Sequence, residues 1–326
     1  MEIGGVSSSY GNVKPLKRGA RSPLLGPLSL LRRSAFGLAA LCALTIAPAA
    51  TAADAPRFIA SPPSVSASGS FIVGHGTVGT GPEAILVMHE WMGDHSNYAG
   101  LLPFLNTKAF TYVFADLRGY GWSKDVRGDY TADEAVSDMF ALMDKLGHKR
   151  FHVVGHSMSG LIAQAMAAKD KTRIKSLIAV TPVPAAGFKT DDAGFQRLVA
   201  VIDTDDAMRG AIKARVAQRY TDAWIDHKLA IARNATTREP MLGYLKMFTS
   251  TDVSAAVVGL DIPVLLITGA DDIPFYQEAA ERPKFEAAYK NLTVETIQNA
   301  GHYPMLQTPP LLLAKIEKFV EANVKD

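Results

Sequence analysis

The sequence predicts an α/β fold: a mostly parallel, twisted sheet with helices on both faces and a helical insertion. Three observations predict it. From Phe71 onward, short, continuously apolar runs alternate with helix-forming segments, the pattern of parallel strands buried on both faces. Between about 188 and 258 the apolar runs stop and helical spacing takes over, after which the alternation resumes. At 326 residues and 48% hydrophobic composition, the chain can bury one large core and carry such an insertion.

The chain divides into an N-terminal extension with a signal peptide over 1–52, a linker over 53–70, a core over 71–187 and 259–326, and a helical cap over 188–258. Arg32 and Arg33 precede about thirteen mostly apolar residues from Ala35 to Ala47, and Ala50-Thr51-Ala52 supplies a small-x-small cleavage pattern. That run is shorter than the roughly 20 residues a membrane span needs. A secretory signal and a periplasmic or secreted mature chain are therefore expected, without a stable membrane span. The twin arginine resembles a folded-export signal, but Phe36 stands one place late for it. The one cysteine, Cys42, lies in this stretch, so the mature chain has neither disulfide nor thiol nucleophile. Residues 1–52 hold six basic residues and one acid, whereas the whole chain has 34 Lys+Arg against 32 Asp+Glu. The remainder is thus slightly acidic, and no basic field for nucleic acid is present.

Along the core, Phe71–Val73, Ala84–Met88 and Thr111–Ala115 read as strands, with a short helix from Tyr98 to Leu105 between the last two. Thr131-Ala132-Asp133-Glu134 is a capping box that opens a helix ending before Gly147. Ser176–Val180, Pro263–Thr268 and Leu292–Ile297 read as further strands, and a helix from about Pro310 to Val324 closes the chain. In the insertion, Ala207–Tyr220, Asp222–Arg233 and Arg238–Phe248 have helical spacing.

The organising stretch is Phe151-His152-Val153-Val154-Gly155-His156-Ser157-Met158-Ser159-Gly160, a buried-strand run passing directly into an Ala/Leu/Met-rich helix. Small residues two before and two after Ser157 are what a very tight strand-to-helix turn requires, because a Cβ there would crowd the backbone. Such a turn lifts the hydroxyl above the sheet. A serine needs a base, and the base an orienting acid. Two loops at carboxyl ends of strands offer them: Gly269-Ala270-Asp271-Asp272 and Gly301-His302-Tyr303-Pro304.

With Asp116-Leu117-Arg118-Gly119-Tyr120-Gly121-Trp122-Ser123 added, four motifs stand in order, and the region from about Phe71 to Val324 resembles the α/β-hydrolase fold family, in its serine-nucleophile branch with a helical cap. The resemblance implies Ser157 as nucleophile, His302 as general base and then acid, and Asp272 as the acid, with Asp271 as the alternative. It implies an oxyanion hole from the backbone N–H groups of Met158 and Trp91. His156 is expected to pack on the sheet.

The loop His89-Glu90-Trp91 departs from the family's His-Gly and resembles that of dienelactone-hydrolase-like members, which use cysteine where this chain has Ser157. Glu90 has two readings, a structural tie to an arginine or a contact with nucleophile or substrate. Trp224, Met241, Tyr244, Leu245, Met247 and Phe248 give the insertion apolar side chains, so Glu90, Trp224, Met241, Tyr244 and Phe248 are the candidate substrate contacts. No Arg/Lys cluster marks an anion subsite, with Arg118 and Arg238 as the residual candidates. No H-E-x-x-H and no phosphate-cradling Gly-rich loop occurs, so neither metal nor cofactor is expected.

The expected function is an exported serine hydrolase acting on a carboxylic ester or lactone of a small to medium, mainly apolar molecule. Carbon–carbon bond hydrolysis and cofactor-free perhydrolysis of haloperoxidase type are the enzymatic alternatives, and a non-catalytic ligand-binding protein is the non-enzymatic one. The sequence leaves the oligomeric state open.

Overall fold

The computed structural model describes residues 56–324; the expected signal peptide and cleavage pattern lie outside them. Ten strands and ten α-helices follow one another in these residues. The strands are β1 (Ile59–Ser61), β2 (Ser64–Val65), β3 (Phe71–Ile72), β4 (His75–Val78), β5 (Glu83–Met88), β6 (Phe110–Ala115), β7 (Phe151–His156), β8 (Ile174–Val180), β9 (Leu260–Gly269) and β10 (Tyr289–Ile297). The helices are α1 (Ala132–Lys145), α2 (Met158–Lys169), α3 (Asp192–Asp203), α4 (Asp205–Ala214), α5 (Asp222–Ala235), α6 (Arg238–Ser250), α7 (Ser254–Val257), α8 (Glu278–Ala288), α9 (Pro304–Gln307) and α10 (Pro309–Ala322).

Eight strands form one sheet in the order β1-β4-β6-β5-β7-β8-β9-β10, parallel from β6 to β10 and antiparallel at the β1-β4-β6 edge. β6 and β7 are buried along their whole length, which is why they read as unbroken apolar runs. The chain leaves β5 to build β6 on one side and β7 on the other, so the order reverses there. At such a reversal the loops at the carboxyl ends diverge and leave a crevice, where open α/β sheets hold ligands.

The region expected as a linker contributes an edge strand, since Ile59–Ser61 pairs with His75–Thr77. Exposed Ile59 and Ala60 carry no apolar period, which is why this strand was not legible. The segment between β8 and β9 folds as α3 to α7. α8 also went unread, because Pro283 and a mostly polar face interrupt its pattern.

The capping box on α1 is modified. Thr131 Oγ1 accepts from Glu134 N at 3.1 Å, but Glu134 Oε2 reaches back to Tyr130 N at 2.9 Å rather than to Thr131 N. The Asp116–Ser123 loop is a structural knot. Asp116 accepts from the backbone N–H groups of His95 and Trp122, Ser123 Oγ accepts from Gly74 N, and a Cβ on Gly121 would lie 2.1 Å from Asp116 Oδ2.

The turn from β7 into α2 is the tightest point of the fold. A Cβ on Gly155 would lie 2.2 Å from the Ser159 carbonyl oxygen, a backbone atom that cannot yield without moving α2. Gly155→Ala is expected to cost about 3 kcal/mol or more of stability, read as a lowered urea midpoint in a soluble variant or as loss of soluble protein.

Candidate active site

Ser157 adopts φ 52° and ψ −115°, a conformation disfavoured for a residue with a Cβ. Its surroundings hold it there. Ser157 N donates to Val180 O at 3.0 Å, and Ser157 O accepts from Gly160 N and Val183 N, both at 2.8 Å. The side chain is thereby raised over the carboxyl edge of the sheet.

His302 reaches it from the loop after β10. Its Nε2 lies 2.9 Å from Ser157 Oγ, and its Nδ1 lies 2.6 Å from Asp272 Oδ2 in the loop after β9. With Nδ1 donating to Asp272, Nε2 is left to accept the serine proton. Asp272 Oδ1 also accepts from Ile273 N at 2.7 Å, so its orientation is fixed at both oxygens. All three residues are buried. The neighbouring Asp271 instead forms an ion pair with Arg219, which also donates to Asn299 Oδ1 at 3.1 Å. Geometry therefore separates the two aspartates that the sequence left as alternatives.

His156 is fully buried and donates from Nε2 to the His302 carbonyl at 2.7 Å. Burial, with His302 adding to it, lowers its pKa to about 3, so it stays neutral and supports the histidine loop from behind.

The loop expected to supply an oxyanion donor follows β5. His89 Nδ1 donates to Glu90 O at 2.7 Å while its Nε2 accepts from Leu117 N at 3.1 Å, which fixes the tautomer. Trp91 O accepts from the Tyr120 hydroxyl at 2.8 Å, and Met92 N donates to Glu90 Oε2 at 2.9 Å. Ser159 Oγ donates to His89 O at 2.5 Å, linking this loop directly to the elbow. Around Trp91 the polar groups are thus occupied, whereas the N–H groups of Trp91 and Met158 have no acceptor among the described residues. Met158 opens α2, so its amide is one of the unpaired donors that every helix start carries.

Glu90 is tied, but to a lysine rather than an arginine. Lys228 of α5 places Nζ 2.7 Å from Glu90 Oε1, donates to Met92 O and sits 4.9 Å from the centre of the Tyr303 ring. Carboxylate, carbonyl and ring face approach from different directions, which suits a compact ammonium better than a planar guanidinium fork. Burial alone would raise the Glu90 pKa, but Lys228, with His156 and His302 adding to it, outweighs burial and holds the carboxyl at about 2.

A narrow cavity of about 340 Å³ lies above Ser157. Glu90, Trp91, Met92, Ser157, Met158 and His302 form its floor, and Val183, Phe188, Leu198, Phe248, Arg215 and Tyr276 line the rest. Of the expected substrate contacts, Glu90 and Phe248 line it; Trp224, Met241 and Tyr244 do not. Tyr244 packs edge-on against Tyr120 and close to Tyr130, Met241 offers its carbonyl to Trp91 Nε1 at 2.8 Å, and Trp224 packs on Tyr220. These three knit the insertion to itself and to the core. Arg118 and Arg238 are likewise spoken for, by Asp138 and Asp203 respectively. Sequence reasoning missed Arg215, Lys228 and Tyr276, the last with its ring 4.3 Å from His302 and its hydroxyl beside Ser157. None stands in a motif.

A family profile described as alpha/beta hydrolase fold matches residues 83–216. The chain has the α/β-hydrolase fold. Among its relatives, a candidate carbamate hydrolase, RutD of Caulobacter segnis, is 26% identical over 76% of this chain and 94% of its own length. A non-heme chloroperoxidase of Streptomyces lividans is 24% identical over 73% of this chain and 91% of its own. An esterase from Exiguobacterium antarcticum superposes with a TM-score of 0.70 at 16% identity, over 80% of this chain and 99% of that one.

The buried pair sets an acid limit on this α/β-hydrolase fold. Glu90 takes up its proton near pH 4.5 when unfolded and at about 2 when folded, so its contribution is present above 4.5 and lost as pH falls through that window. His156, protonated near 6.5 when unfolded and near 3 when folded, adds a loss of stability beginning below 6.5. Urea midpoints are expected to fall steadily from pH 6.5 to 3. Glu90→Gln should lose about 3–5 kcal/mol at pH 7 by stranding Lys228, and its remaining pH dependence below 4.5 should be shallower. Adding Lys228→Met to that variant should restore part of the loss.

Proposed function

We propose that the protein is an exported serine hydrolase that cleaves a carboxylic ester or lactone through an acyl-enzyme. The observation that carries this reading is the line Ser157 Oγ, His302 Nε2, His302 Nδ1, Asp272 Oδ2, with steps of 2.9 and 2.6 Å, beside two backbone N–H groups without acceptors.

Ser157 Oγ adds to the carbonyl carbon as its proton passes to His302 Nε2, and the imidazolium is stabilised by Asp272. The carbonyl oxygen becomes an oxyanion that accepts from the N–H groups of Trp91 and Met158, an interaction stronger in the transition state than in the ground state. Collapse breaks the bond to the leaving oxygen, which takes the proton from His302. A water then gives a proton to His302, attacks the acyl-enzyme, and returns Ser157 with release of the acid. In a lactone both products are one molecule. The apolar walls, Val183, Phe188, Leu198 and Phe248, support a small, mainly apolar acyl group.

The chloroperoxidase relative favours one further reading, perhydrolysis. There hydrogen peroxide replaces water in the second half-reaction, and the same acyl-enzyme yields a peracid. Export rests on the N-terminal sequence, and amino-terminal sequencing of the protein recovered from its native host would locate the cleavage.

A fluorophosphonate probe should label the purified protein and fail to label Ser157→Ala. Turnover of 4-nitrophenyl esters or simple lactones should accompany labelling, and Asp272→Asn should lower kcat by roughly 10⁴-fold. Labelling with peracid formation but no ester turnover would move the assignment to perhydrolysis. Absence of labelling would remove the nucleophile and leave a ligand-binding protein.

A further inference from the structure

Two cations from the insertion are buried close to the site, and they are treated differently. Lys228 is neutralised by Glu90. Arg215, the residue that ends α4, is not: its one side-chain hydrogen bond runs from Nη1 to Ala211 O at 3.1 Å, within its own helix, and no carboxylate of the described residues reaches it at ion-pair distance. Arg215 is 9% exposed, and it lines the same cavity as Ser157, Met158 and His302.

The two carboxylates nearby are already engaged, Asp272 by His302 and Ile273 N, Glu90 by Lys228 and Met92 N. A guanidinium has five N–H donors and stays charged at any accessible pH. Its remaining donors are not among the fully buried polar atoms without partners, and Arg215 lines the cavity, so a ligand or water there can supply the oxygens that a guanidinium removed from bulk solvent needs.

The position of this arginine is built rather than incidental. His302 N donates to Arg215 O at 2.9 Å, and a Cβ on Gly301 would lie 2.1 Å from that same oxygen. Only glycine at 301 lets the end of α4 close onto the histidine loop. Arg219, one turn of chain later, clamps Asp271 and Asn299 on the same two loops. The backbone that carries the guanidinium is therefore locked to the backbone that carries the catalytic imidazole.

From this we infer that Arg215 is an anion anchor, and that the substrate of the proposed serine hydrolase carries a free carboxylate on a short apolar arm, as in a monoester of a dicarboxylic acid or a carboxylated lactone. The inference rests on the ester or lactone reading for the reaction, but not for the anion site itself. A carboxylate matches the planar fork bidentately, and the rest of the lining, Val183, Phe188, Leu198 and Phe248, accommodates the hydrocarbon between anion and scissile carbonyl.

The test compares mono-4-nitrophenyl glutarate with the neutral, equally shaped 4-nitrophenyl 5-methylhexanoate, each corrected for its uncatalysed rate. The wild-type protein should favour the glutarate in kcat/KM. In Arg215→Met that preference should fall by roughly 10- to 100-fold, the range for a hydrogen bond to a charged group, and in Arg215→Lys it should fall by less. An unchanged ratio in Arg215→Met, or a wild-type preference for the neutral ester, would overturn the inference. A second measurement needs neither turnover nor an Arg215 variant that folds: calorimetric binding to Ser157→Ala of monomethyl glutarate and of its primary amide. The carboxylate should bind at least roughly tenfold more tightly, and equal affinities would overturn the anchor. Carboxylate-selective binding without any ester turnover or probe labelling would keep the anchor and remove the serine-hydrolase reading. Ester turnover without carboxylate selectivity would do the reverse.

Discussion

The structure depends on one strained turn. Ser157 sits at φ 52° between a strand and a helix that approach too closely for any side chain at Gly155. A non-glycine residue held there costs on the order of 1–3 kcal/mol, and the cost is met by three backbone hydrogen bonds that converge on its N–H and carbonyl from Val180, Gly160 and Val183. Each comes from a different part of the chain, the end of β8, the first turn of α2 and the loop entering the insertion. The turn therefore cannot relax without disturbing the sheet, the helix and the cap together. Ser159 extends the constraint by donating to His89 O, so the elbow and the loop that carries the Trp91 amide keep a fixed spacing.

Around that turn, charge is arranged in closed accounts with one exception. Glu90 would be an expensive carboxylate to bury, and Lys228 offsets it at direct contact, fastening α5 to the loop after β5 in the process. Asp271 is held by Arg219 and Asp272 by His302, so the two adjacent aspartates face different partners. His156 is kept neutral by burial, and its Nε2–H is spent on the His302 carbonyl. Among the described residues, Arg215 alone brings a charge to the cavity without a counter-charge in contact.

The fold and the residues that line up as Ser157, His302 and Asp272 were legible because each is written locally. A strand's apolar run, a small-x-Ser-x-small turn, and the loops ending in Asp272 and His302 each occupy a few consecutive residues, and parallel β/α topology delivers strand ends to one edge whatever the details of packing. The edge strand Ile59–Ser61 was not legible, because it is short, exposed and held by pairing with β4 rather than by an apolar period. The cavity walls were not legible for a deeper reason. Lys228 meets Met92 across 136 positions in sequence, and Trp91 meets Met241 across 150. Which face of each cap helix turns toward Ser157 depends on how several helices pack, and apolar spacing is the same for a residue that lines a cavity and one that seals two helices. Tyr244 and Met241 show it: expected as substrate contacts, they lie outside the cavity lining and meet Tyr120 and Trp91.

The same distinction explains why the informative residues in the cap are its buried cations. An apolar side chain inside a protein needs no explanation beyond the area it removes from water, so Phe248 or Leu198 in the cavity wall says little about the ligand. A buried charge always needs a partner, and the partner is either found in the chain or supplied from outside. Lys228 finds its own and thereby becomes part of the scaffold. The guanidinium of Arg215 rests on a single carbonyl of its own helix, while the backbone beneath it is locked to the histidine loop through Gly301 and His302. Rigid placement with donors left free toward the cavity is the condition under which a site binds an anion without reorganising first.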